Sequence, residues 1–154
     1  MKYPAMVARV TDAQTGQPLT LHFTLLLPDG SGKAPVERPK VLLKGHRKAD
    51  GVIRLTDDAD VTTGLGITEG IENALVCMAM GWQPVWAAVD AGNIAAFPIL
   101  PGIEALTIFA DNDSAGIKTA KQCAARWKVA GREVRIVAPI RAGEDWADVA
   151  REDI

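Results

Sequence analysis

From residue 64 onward, short apolar runs alternate with helical stretches, and few folds satisfy that alternation. Leu65-Gly66-Ile67-Thr68, Val85-Trp86-Ala87-Ala88-Val89, Ala105-Leu106-Thr107-Ile108-Phe109-Ala110 and Glu133 to Ala138 each read as a strand. Between them, Ile71, Ala74, Leu75 and Met78 recur at helical spacing. So do Ile117, Ala120, Ala124, Trp127 and Ala130, with Gly131 closing that helix. Strands and amphipathic helices in alternation build βαβ units and a parallel sheet. Such a sheet is covered on both faces, so its strands are apolar at nearly every position. The expected class is α/β, with a parallel sheet of about four strands flanked by helices.

The first part of the chain has another texture. Ala5 to Asp12 reads as a strand, Thr15-Gly16 as a turn, and Pro18 to Leu27 as a second strand with Leu19, Leu21, Phe23 and Leu25 on one face. Alternation around a glycine-bearing turn predicts a β-hairpin. Pro28 to Lys33 is a loop by composition, and residues 51–55 form another short strand. The organisation is therefore a small β-rich lobe over 1–62 and an α/β domain over 63–154, which suits a chain of 154 residues.

No run of apolar residues is long enough to span a membrane, and Met1 to Met6 lacks a signal core, so a cytoplasmic location is expected. Cys77 and Cys123 with His22 and His46 leave no zinc ribbon or finger in this chain. Both cysteines are expected to be inert and both histidines structural or solvated. Trp82, Trp86, Trp127 and Trp146 are expected in the core. The net charge of −2 conceals an asymmetry. Between residues 33 and 54, Lys33, Arg38, Lys40, Lys44, Arg47, Lys48 and Arg54 stand against Glu37 and Asp50 alone. A basic stretch beside an acidic module suits a phosphate-bearing ligand, although a solvated loop has the same composition.

In open α/β sheets, ligands bind beyond the carboxyl ends of the strands. Glu69 follows the first parallel strand, Asp90 the second, and Asp111-Asn112-Asp113 the third; Glu144, Asp145 and Asp148 follow the fourth. Like charges gathered at one edge are costly unless a cation compensates them, and hard carboxylate oxygens suit Mg²⁺ or Mn²⁺. Each acid also has a plainer use. Asp113 or Ser114 can cap the helix near Ala115, Glu69 can face a helix dipole, and Asp145 and Asp148 can cap a last helix over Trp146–Arg151.

Gly66-Ile67-Thr68-Glu69-Gly70-Ile71-Glu72-Asn73-Ala74-Leu75 resembles the first motif of the Toprim family, a strand ending in Glu-Gly before a helix. Asp111-Asn112-Asp113-Ser114-Ala115-Gly116 resembles its second motif, Asp-x-Asp-x-x-Gly. Gly143-Glu144-Asp145-Trp146-Ala147-Asp148-Val149 resembles the acidic segment after the last Toprim strand of primases, with Glu144 where the family usually has Lys. The N-terminal lobe, through Leu21-His22-Phe23-Thr24, Asp29 to Ala34 and Pro39-Lys40, looks like the segment preceding Toprim in phage and plasmid primase–helicases.

The resemblance implies a Toprim-type, Rossmann-like sheet and a catalytic-core fragment of a DNA primase. The resemblance further implies metal-dependent primer synthesis on single-stranded DNA from nucleoside triphosphates as the activity this core would serve. Glu69, Asp111 and Asp113 would form the core Mg²⁺ or Mn²⁺ site, with Asp145 and Asp148 as further ligands. Lys33, Lys40, Lys44, Arg47 and Arg54 would contact template or triphosphate, through charge rather than sequence. A zinc-binding module and a helicase are expected in the parent protein, so the isolated segment is expected to be a weak or inactive primase. A metal-dependent Toprim nuclease and a non-catalytic DNA-binding or scaffold Toprim module are the rival readings. Tyr3, the sole tyrosine, stands at the chain end and disfavours a topoisomerase-type nucleophile. The paired motifs disfavour a flavodoxin-like receiver.

Overall fold

The computed structural model of the chain describes residues 2–152. Residue 1 of the expected lobe and residues 153–154 of the expected α/β domain lie outside the described residues. The chain opens with the hairpin, β1 (Ala5–Asp12) and β2 (Pro18–Leu25), paired antiparallel from Ala5↔Leu25 to Thr11↔Pro18. A short strand that the sequence pattern did not reveal, β3 (Lys40–Leu42), lies on the outer side of β2. β4 (Gly51–Arg54) follows.

The parallel core consists of β5 (Gly64–Thr68), β6 (Val85–Ala87), β7 (Ala105–Phe109) and β8 (Glu133–Val137). β6 and β7 flank β5 in parallel, and β8 lies beyond β7. The sheet does not stop there. β4 pairs antiparallel with both β1 and β6, so one eight-stranded sheet runs β3-β2-β1-β4-β6-β5-β7-β8. The lobe and the α/β part are thus one hydrogen-bonded surface.

Among the described residues, four α-helices cover the parallel strands. α1 (Ile71–Ala79) and α4 (Trp146–Glu152) pack together, and α2 (Ala91–Ala95) packs against α3 (Ser114–Val129). The two helix pairs serve two separate cores. One holds Leu65, Ile67, Trp86, Phe97, Ile108 and Trp127. The other holds Ile71, Ala74, Cys77, Phe109 and Trp146 together with Val10 and Ile53 of the lobe. Each large side chain removed from water here contributes about 1.5–3 kcal/mol. Trp127 is fully buried, stacks on Phe97 with ring centroids 5.9 Å apart, and donates its indole N–H to the Phe97 carbonyl.

Phe109 lies against β5 where the strand carries Gly66; a Cβ there would meet its ring at 2.9 Å. Trp82 departs from expectation. It follows the Gly81 turn, is 43% exposed, and covers Phe109 edge-on rather than entering the core. Cys77 and Cys123 are buried and unbridged, His22 is buried, and His46 is exposed. No helix among the described residues is long and apolar enough to cross a membrane.

Candidate functional site

β5 and β7 are neighbours, with Thr68 opposite Phe109. The chain leaves them for α1 on one face and α3 on the other. A crevice therefore opens between their carboxyl ends, at the point where the strand order reverses. Glu69 and Asp111 fall into it, lining one narrow cleft with Ala110, Gly116 and Thr119. Burial pushes the Glu69 carboxyl above its usual range, and the charges of Asp111, Asp90 and Asp113 add to the effect. Burial, then the charges of Asp145 and Asp113, push Asp111 up to about 6. This cleft is strongly electronegative and under-compensated.

The Asp111 carboxylate is held through Asn73. The Asn73 amide donates to its Oδ1 at 2.8 Å, while the Asn73 carbonyl accepts from the Ala147 N–H at 3.1 Å. One buried amide thus connects Asp111 to the start of α4. Below Asp111 runs the first turn of α3. A Cβ on Gly116 would stand 2.5 Å from the Asp111 carbonyl oxygen, so the helix can begin this close to the strand end only with glycine there.

The other predicted acids are engaged as caps. Asp113 has extended backbone and accepts from the Gly116 N–H at 2.6 Å, capping α3. Asp145 and Asp148 cap α4 reciprocally, each accepting from the other's N–H at 2.8 and 3.1 Å, and Asp148 also pairs with Arg151. Asp90 caps α2 through the Asn93 N–H at 2.9 Å and pairs with Lys48 at 2.8 Å. It is delivered by a tight turn in which the Asp90 N–H meets the Ala88 carbonyl across Val89, whose φ is +76°. That conformation is rare and strained for a β-branched residue.

Glu69 and Asp111 therefore share one cleft, while the carboxylates of Asp113, Asp145 and Asp148 are turned to helix ends. Among the described residues, no three acidic, imidazole or thiolate groups stand together closely enough to enclose a metal ion.

The basic residues divide likewise. Lys33 and Lys40 reach across from the lobe to Glu72 of α1, at 3.2 and 2.7 Å. Burial would raise Glu72, but the Lys40 hydrogen bond and charge outweigh it and hold the carboxyl low. The Lys40 charge also acts on Glu69 and Asp111. Arg47 pairs with Asp12 at 2.5 Å, and Lys44 is exposed. Arg54 lies away from the cleft. Its guanidinium stacks over Trp86 at 4.4 Å and donates to Thr11 Oγ1, to the Asp12 and Ala13 carbonyls and to Asp58, tying β4 to its neighbours.

Glu72, Asn73 and Asn93 escaped the sequence reading. Asn93 is buried and donates to the carbonyls of Lys48 and Gly51, pinning the basic loop to α2. The available signal was an asparagine at the third position of a helix, on the face where the pattern calls for an apolar residue.

Comparison with known proteins agrees with this architecture. Residues 64–153 match the family model described as Toprim domain, and residues 1–55 match a domain of unknown function, DUF7146. No curated protein sequence matches the chain. Among solved structures, a DNA primase domain from Pseudomonas aeruginosa superposes with a TM-score of 0.64 at 15% identity, over 97% of this chain and 47% of that one. The DnaG catalytic core gives 0.64 at 17% identity, over 96% and 48%. An Aquifex aeolicus primase structure of zinc-binding and RNA polymerase domains gives 0.64 at 18%, over 96% and 37%. The chain spans half or less of the length of these structures, and at such identities the likeness is one of fold. With the Glu-Gly strand end, the Asp-x-Asp-x-x-Gly turn and the matched model lying on the same 90-residue sheet-and-helix unit, the chain belongs to the Toprim domain family.

Proposed function

We propose that this chain is the Toprim core of a primase, supporting metal-dependent nucleotidyl transfer to build primers on single-stranded DNA. The observation that carries the reading is the juxtaposition of Glu69 and Asp111 in one under-compensated cleft with Lys33 and Lys40 alongside. The donor set fits Mg²⁺ or Mn²⁺: every candidate atom is a hard oxygen, and a capping carboxylate keeps lone pairs for a second partner. Glu69 and Asp111 would hold the ion, two carboxylates being enough for Mg²⁺ when water and substrate phosphates complete its shell. Asp113, Asp145 and Asp148 would add negative charge around it from their caps, or join as further ligands if their turns shift. When bound, it supplies Lewis-acid activation of the attacking hydroxyl and charge neutralisation at the transferred phosphoryl group.

The remaining work falls to the chain. Lys33 and Lys40 orient a triphosphate beside the cleft, with Glu72 holding both ammonium groups in place. Asn73 fixes the Asp111 carboxylate. Glu69, with its raised affinity for protons, can exchange one at its carboxylate. Lys44 and Arg47 extend the basic surface toward the template. The zinc-binding module and helicase of a phage- or plasmid-type parent belong to this proposal; the Aquifex relative has a zinc-binding domain of its own.

The test is Mn²⁺ titration of the chain followed by electron paramagnetic resonance, alongside incubation with single-stranded DNA and nucleoside triphosphates. Asp111→Asn and Glu69→Gln should each weaken Mn²⁺ binding at least tenfold. Unchanged binding in both would overturn the site. Shortening of the DNA, with no extension, would assign the cleft to a nuclease instead.

A further inference from the structure

The helix that follows Asp113 carries an unbalanced charge. α3 contains Lys118, Lys121, Arg126 and Lys128 and no acidic residue, in a chain whose net charge is −2. In the lobe, Lys33, Lys40, Arg47, Lys48 and Arg54 each face a carboxylate, while Arg9, Arg38 and Lys44 stand singly and not in a row on one helix. On α3, Arg126 donates to the Phe97 carbonyl. Lys118, Lys121 and Lys128 make no ion pair among the described residues.

These three are aligned. Ser114, Lys118, Lys121, Ala125 and Lys128 follow at alternating steps of four and three, the spacing that places side chains on one helix face, and all five are exposed. The opposite face, with Ala120, Cys123, Ala124 and Trp127, is buried in the core. From Lys118 to Lys128 the stripe runs about 15 Å at about 1.5 Å per residue. Its first half forms one wall of an open groove of about 740 Å³. The groove starts at Asp113 and Ser114, passes Lys118 and Lys121, and is bounded opposite by Ala142 and Gly143. It therefore begins beside the carboxylate cleft and leads away from it.

We propose that the outer face of α3, through Lys118, Lys121 and Lys128, is a second nucleic-acid surface that carries the phosphate backbone of a single strand away from the cleft. The proposal rests on the nucleotidyl-transfer reading, which supplies a strand at Asp113. Ammonium groups recognise phosphates as point charges without regard to sequence. Between the lysines stand Ala125 and Gln122, not the aromatic anchors on which protein partners usually depend. A row of evenly repeated anionic groups is the ligand such a stripe matches.

The experiment is fluorescence anisotropy of a labelled oligothymidylate with the whole chain, over a range of salt. Lys118→Gln/Lys121→Gln/Lys128→Gln is compared with Lys33→Gln/Lys40→Gln/Lys44→Gln. The α3 variant should flatten the slope of log affinity against log salt by about 2, at about 0.7 per phosphate contact. That is roughly 16-fold less affinity lost between about 50 and 200 mM salt. Replacing the same lysines by arginine should restore the slope. An unchanged slope in the α3 variant overturns the proposal; if the lobe variant is weakened in the same series, the reading of the cleft survives alone. Failure of the unaltered chain to bind the oligonucleotide overturns both. Equal competition by polyglutamate of matched charge overturns the assignment to nucleic acid.

Discussion

Asp111→Asn should make the metal-free protein more stable, and the gain should depend on pH. In the folded chain the Asp111 carboxyl is raised from 3.8 to about 6, first by burial and then by Asp145 and Asp113. Between those two values the folded protein keeps a proton that the unfolded chain has released, so stability falls as pH rises through that window. The penalty is absent below 3.8 and complete above about 6. A gap of about 2 on the pH scale corresponds to about 3 kcal/mol at about 1.4 kcal/mol per unit. Partial solvation and sharing among the neighbouring acids reduce that to about 2 kcal/mol. The amide keeps an oxygen for the Asn73 hydrogen bond, so nothing comparable is lost. Urea unfolding in the presence of a chelator should show the variant about 2 kcal/mol more stable at pH 7.5, or some 4–8 °C higher in Tm. Near pH 4 the two proteins should coincide. With saturating Mn²⁺ the ranking should reverse, because the variant has lost a ligand. A variant equal to or weaker than the parent at pH 7.5, or a gain of the same size at pH 4, would refute the electrostatic account of the cleft.

Three further outcomes are expected. Gly116→Ala, which at an open helix position would help by up to about 1 kcal/mol, should instead cost about 1–3 kcal/mol in a thermal melt, because its Cβ meets the Asp111 carbonyl. Asn93→Ala should leave the carbonyls of Lys48 and Gly51 unpaired, cost about 1–3 kcal/mol, and speed amide exchange across residues 43–50; slow exchange there would show that the loop does not depend on α2. Arg54→Lys should lose the fork to the Asp12 and Ala13 carbonyls and the stacking on Trp86, lowering stability by about 1–2 kcal/mol with little change in DNA affinity. A large loss of DNA binding without a loss of stability would return Arg54 to the phosphate-contact set.

The inner parallel strands were legible because burial on both faces leaves an apolar run, as in Leu65-Gly66-Ile67 and Ile108-Phe109-Ala110, whereas the edge strand β8 is largely exposed and showed only through its valines and isoleucine. The position of the carboxylates followed from where those runs stop. What stayed hidden was lateral. β3 has three residues and α2 five, too few to establish a period. The place of β4 beside β6 depends on a pairing across more than thirty residues that no local pattern carries. Side-chain direction was equally opaque. Asp113, Asp145 and Asp148 lie at the predicted edge, yet their oxygens close helix caps, and only the φ/ψ of the turn decides that. Arg54 counted as one more cation in a basic stretch, whereas the residues that surround it come from β1, the turn after it, and β6.

β4 also sets what can be cut from this molecule. Its first two residues bond to β1 and its last two to β6, so the strand is divided between neighbours. The two matched families, by contrast, part company between residues 55 and 64. A chain severed there would strip β6 of β4, its partner on the side away from β5, leaving a bare strand edge whose side chains are all buried in the intact protein. Raw edges of that kind recruit whatever strand is nearest, usually another copy of themselves. The inherited segments and the folding unit therefore have different borders, and a Toprim half prepared on its own should take residues 51–54 with it if it is to stay in solution.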